Sequence, residues 1–126
     1  MTLGELKAAV IARLHRSDLA AQVPEFLRLA EAEYNTITNS THDLTSEADA
    51  AENWVSEYMP QVYIMGALMQ AAVYTQDDNA LQKFAALFAR AVEQAHYGEV
   101  RDSGVLDQVA ETEIGVPSTF DIQAGY

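Results

Sequence analysis

The sequence predicts an all-α protein: a four-helix, bundle-like domain over residues 1–98, its third helix kinked at a proline, followed by an extended acidic arm over 99–126. Three observations carry this reading. Apolar residues recur at three- and four-residue spacing in four separate segments, the period of one helical face. Pro, Asn, Ser and Thr gather between those segments, where they favour turns and caps. Beyond Gly98 the helical spacing stops.

The first helix opens on a capping box, Thr2 with Glu5, and carries a stripe of Leu3, Leu6, Val10 and Leu14. "HRSDLAAQV" interrupts it, and Pro24 then stands at a helix start, where its missing N–H costs nothing. The second helix runs from about Pro24 to Thr38 with Phe26, Leu27, Ala30, Tyr34 and Ile37 on one face. A third helix is expected from about Ser46, capped by Ser46 or Asp43, with Ala51, Trp54, Val55 and Tyr58 on its apolar side. Pro60 should kink or restart it. Its continuation, "QVYIMGALMQAAVYT", is too short to cross a bilayer, which takes about 20 apolar residues. It is nevertheless apolar nearly all the way round, where a surface helix shows one stripe. The fourth helix is expected to be capped by Asp77 or Asp78, has its apolar positions at Leu81, Phe84, Leu87, Phe88, Ala91, Val92 and Ala95, and is expected to end at Gly98.

The arm carries scattered apolar residues, Val105, Leu106, Ile114, Val116, Phe120, Ile122 and Tyr126, between Gly104, Gly115, Pro117 and Gly125. So many apolar side chains are expected to fold back on the bundle or dock on another chain.

Composition narrows the function classes. With 126 residues, 49% of them apolar, the chain suits one domain with a real core. There is no Cys, so disulfides and thiolate metal sites are excluded. The opening residues lack a basic region followed by an apolar run, so no signal peptide is expected. Charge is lopsided, with 19 Asp plus Glu against 7 Lys plus Arg and a net −12. Nucleic-acid binding relies on bases that neutralise phosphates, so tight DNA binding is not expected. Residues 40–57, an acidic connecting segment and helix start, hold five acids and no base; residues 99–126 hold six acids and Arg101. Such blocks form either a solvated face or a surface that meets a partner.

Catalytic signatures are missing: there is no H-E-x-x-H, G-x-S-x-G, P-loop or G-x-G-x-x-G. One E-x-x-H step, Glu93 with His96, has the spacing of a di-metal bundle ligand pair, but such a site needs a second pair and two more Glu. A histidine near a helix end explains it more simply. Glu31 and Glu33 lie on different sides of their helix. No catalytic residue, metal ligand or cofactor site is assigned, and no enzyme is expected. Trp54, Tyr58, Tyr63 and Tyr74 could form a base-stacking platform, but that mode needs a basic groove and the Trp54 region is acidic. Core or interface packing suits them better.

The run Asn53 to Gln94 resembles the helical core of head–tail connector proteins of tailed bacteriophages, also called adaptor or head-completion proteins. The features that carry the resemblance are Trp54 opening a helix, Pro60, Tyr63, Ala67 with Leu68, Tyr74, and the pair Asp77 and Asp78. Residues 3–38 are similar too, with an opening helix, a short break, and a Pro-aromatic-aliphatic helix reaching the Ala30-Glu31-Ala32 step. Some such adaptors carry a β-rich insertion between the second and third helices; here only "NSTHDLTSEADAAE" fills that place.

The resemblance implies a virion protein of the head–tail neck, made in the cytoplasm of a bacterial host. It implies a homo-oligomeric ring, usually a dodecamer, under the portal protein, continuing the DNA channel toward a tail or nozzle/stopper protein and acting in genome ejection. DNA would pass without specific binding, and no membrane is involved. One side of the 61–76 helix would close the subunit's own core and the other would meet a neighbour, making Tyr63, Met65, Met69 and Tyr74 subunit-interface candidates. Tyr63 and Tyr74 could equally pack in the core. The arm residues Val105, Leu106, Ile114, Val116, Phe120, Ile122 and Tyr126 would dock on the portal. Two other readings stay open: a small acidic helical binding module, inhibitor- or antitoxin-like, that captures a basic partner, and a metal-binding bundle around Glu93 and His96.

Overall fold

A single helix that is apolar on every side organises the chain. The computed structural model describes residues 1–102; the arm beyond, with Val105, Leu106, Ile114, Val116, Phe120, Ile122 and Tyr126, lies outside the described residues. Contacts divide the chain into a unit of Met1–Ala95 and a second unit from His96. The protein is all-α, with helices α1 (Leu3–Leu14), α2 (Val23–Thr38), α3 (Trp54–Tyr58), α4 (Gln61–Thr75) and α5 (Asp78–Asp102). Two short 3-10 segments, Ser17–Gln22 and Leu44–Ser46, complete the order.

Helix α4 is the apolar stretch that the sequence singles out. Val62, Tyr63, Ile64, Gly66, Ala67, Leu68, Ala71 and Ala72 are all buried, and successive residues at 100° steps point in every direction. α1, α2 and α3 pack on it, and Phe88 of α5 meets it at Gly66. Most of its apolar surface is covered by its own chain, while Val73 and Tyr74 near its end are exposed and Met65 and Met69 only partly buried. At Gly66 the approach is too close for a side chain. An added Cβ would lie 2.6 Å from Ala30 Cβ on α2 and 2.8 Å from Phe88 Cε1 on α5.

The expected caps of α1 and α5 form: Thr2 and Glu5 make the capping box, and Asp77 Oδ1 accepts from Ala80 N at 3.1 Å. Three expectations need correction. The third helix does not begin at Ser46. After the 3-10 turn the chain runs irregularly to Asn53, whose side chain caps α3 together with Ser56. Pro60 then restarts the helix, so the expected third helix is two, α3 and α4. The last helix continues through Gly98 to Asp102. Finally, Ile37 and Tyr58, expected on apolar faces, are exposed.

Helices α1, α2 and α4 end instead on His15, Asn39 and Gln76, each at positive φ. At the end of α4, Gln76 N–H donates to Val73 O at 3.2 Å and Asp77 N–H to Ala72 O at 3.0 Å. That is the Schellman pairing, built without glycine.

Candidate interaction surface

The four interface candidates differ in how much surface they keep. Tyr63 is 2% exposed and belongs to the core of its own chain, so it cannot form a subunit surface. Met65 and Met69 are partly buried and pack against that core. Tyr74 is exposed beside Val73, at the far end of α4, with its ring edge-on to Phe26 at 5.6 Å. Trp54 and Tyr58 lie near the other end, their rings 5.2 Å apart.

What sequence reasoning missed is why Tyr63 is buried. Its hydroxyl donates to Glu31 Oε2 at 2.7 Å and accepts from Asn53 Nδ2 at 3.1 Å. Glu31, itself buried, takes every remaining contact as an acceptor. Leu44 N–H donates at 2.8 Å, Thr45 N–H at 3.3 Å and Thr45 Oγ1 at 2.7 Å. A buried carboxylate is tolerable only when donors surround it, as here. Burial, followed by the hydrogen bond to Glu31, pushes the Tyr63 phenol well above its ordinary value near 10, because the neutral form is favoured beside a carboxylate.

This network ties α2, α4 and the acidic segment 43–57 together. Asn35 adds a reciprocal pair, donating from Nδ2 to His42 O at 2.8 Å and accepting from His42 N at 3.1 Å. At the other end of the segment, Leu3 N–H donates to Ala51 O at 3.0 Å and Gly4 N–H to Asp49 O at 2.9 Å. Those bonds satisfy donors at the start of α1 that its own turns leave free. A Cβ on Gly4 would sit 3.2 Å from Asp49 Cβ, so the close approach favours glycine there. Lys7 Nζ pairs with Asp49 at 2.8 Å, and the Met1 amine with Glu52 at 3.3 Å. The acidic segment is thus an anchored surface. Asp43, Glu47 and Glu57 remain exposed on it, without an ion pair among the described residues.

Opposite in character is the outer side of α5. Between Asn79 and Val92 the chain has Lys83 and Arg90 and no acid. Both are exposed, and neither forms an ion pair among the described residues. Lys83 stands over the Phe84 ring at 5.4 Å. Arg90 rims a shallow groove of about 240 Å³, whose floor includes Met59, Met65, Leu87 and Ala91.

Glu93 and His96 are both exposed. Among the described residues no three His, Asp or Glu side chains gather closely enough to hold a metal ion, and no helix is long and apolar enough to cross a membrane. Compared with protein-family models, curated proteins and solved structures, the chain matches none.

Proposed function

We propose that this chain is a structural, non-enzymatic subunit of the head–tail neck of a tailed phage, assembling as a ring on the portal and continuing the DNA channel toward the tail. What supports the reading is where the residues behind the resemblance fall. Trp54 opens α3, Pro60 directly precedes α4, Tyr63, Ala67, Leu68 and Tyr74 lie on α4, and Asp77 with Asp78 begins α5. A pattern that tracks helix boundaries across three successive elements is a pattern of fold and spacing, the kind a structural subunit carries.

The electrostatics suit a conduit. A molecule with net charge −12 repels phosphates and gives passing DNA nothing to grip. The arm residues 105–126 are assigned to portal docking. Deleting 105–126 leaves residues 1–102 folded by circular dichroism and abolishes co-sedimentation with the portal. Retained docking contradicts the assignment of the arm.

The test of the reading as a whole is gold-labelled antibody against this chain on purified virions. Label at the neck supports it. Virions free of the chain, with the protein recovered instead in a small complex with a basic partner, turn the assignment to an acidic inhibitor-like module.

A further inference from the structure

The described surface holds two unlike charged patches whose signs complement each other. One is the anchored acidic segment, with Asp43, Glu47 and Glu57 exposed and without ion pairs. Asp49 and Glu52 beside them are already matched by Lys7 and the Met1 amine. The other is the outer side of α5. Lys83 and Arg90 are seven residues apart, which places them on one helical face, roughly 10 Å from each other along the axis. Exposed Ala86 and half-buried Leu87 lie between them. These small and apolar residues let another chain come close, and the Met59, Met65 and Leu87 groove lies beside Arg90.

We infer that the Lys83–Arg90 face of α5 is the docking site for the acidic segment 43–57 of a second copy of this chain. The inference deepens the ring reading above and rests on it for the identity of the partner. Charge complementarity carries it. In a strongly acidic protein two copies repel at most orientations, so a contact that brings unpaired bases against unpaired acids selects one relative pose. Preorganisation favours the same pose. The acidic segment is fixed by Glu31, Asn35, Leu3 and Gly4 before any partner arrives, and a surface already ordered loses little entropy on binding. Because the two patches are different, a copy that receives on α5 still has its acidic segment free for a third. Repetition of that contact gives a closed ring when the rotation closes.

The full-length chain is examined by sedimentation velocity over a range of concentrations, at low salt and at about 1 M salt, where charge interactions beyond about 3 Å are screened. The expected result is concentration-dependent self-association that salt reverses. K83E/R90E and E47K/E57K, each shown to be folded by circular dichroism, weaken it by about tenfold or more. Combining all four substitutions restores it. Zero-length carbodiimide cross-linking of a mixture of isotopically light and heavy protein is expected to join Lys83 to Asp43, Glu47 or Glu57 across two copies.

A wild-type chain that stays monomeric throughout overturns the inference and leaves the ring reading to the portal experiment. Association unaffected by charge reversal, or reversals that do not rescue each other, also overturn it. Rescue in an assembly that stops at two copies upholds the pairing and contradicts the ring.

Discussion

Glu31 is a carboxylate surrounded only by donors, so its value to the fold depends on its being an acceptor at both oxygens. Glu31→Ala leaves the Leu44 and Thr45 amides and the Tyr63 hydroxyl without their partner and is expected to cost about 3 kcal/mol in urea unfolding. Glu31→Gln turns an amide N–H₂ toward those donors and is expected to cost about 2 kcal/mol, since shape is kept but half the acceptor capacity is lost. Tyr63 adds a pH dependence. Its folded-state pKa lies above the ordinary value near 10, so its contribution is complete below pH 10 and declines as pH rises beyond it, by at most about 1.4 kcal/mol per pH unit. Tyr63→Phe should flatten that alkaline decline; an unchanged slope would place the loss elsewhere. At Gly66 a methyl group has nowhere to go between Ala30 and Phe88. Gly66→Ala is expected to destabilise by about 1–2 kcal/mol, because overpacking outweighs the gain in helix propensity. A stabilised variant would mean that α2 and α5 yield easily.

Single helices show how local chemistry sets the boundaries. α3 has only five residues and depends on its cap. Asn53→Ala removes both that cap and the bond to Tyr63, and should cost about 1–2 kcal/mol, with faster amide exchange in α3 than in α4. At the end of α4, Gln76 has a φ of 57°, a conformation that costs an L-residue roughly 1 kcal/mol. Gln76→Gly should raise the urea midpoint accordingly. These ends also explain what was legible in the sequence. Thr2, Asp77 and the apolar spacing in α1, α2 and α5 act locally, so they could be read directly. The C-terminal caps could not, because His15, Asn39 and Gln76 carry no glycine signal, while Gly98 carries the signal and is helical. The start of α3 was misjudged for a different reason. Leu44 and Thr45 are held by Glu31, and Asp49 and Ala51 by the start of α1, contacts that no local pattern announces.

At the scale of the molecule, the Met1–Ala95 unit is built around α4, which buries eight of its residues within its own chain. Sequence reasoning identified this helix but not which of its residues its own chain buries, because periodicity cannot tell an intramolecular partner from an intermolecular one; Tyr63 is buried, whereas Val73 and Tyr74 are exposed. The acidic segment was legible as charge, though not as an anchored surface, since its anchors come from α1, α2 and α4. Lys83 and Arg90 went unremarked because their significance lies in having no ion pair among the described residues. The central claim at this scale is that the chain is one repeated subunit of a ring seated on a portal. The measurement that tests it most directly is the mass of the complex formed when the full-length chain is mixed with the portal protein of the same genome. The account predicts a single large species with one fixed number of copies per portal. Portal and chain that remain separate at every concentration would contradict it.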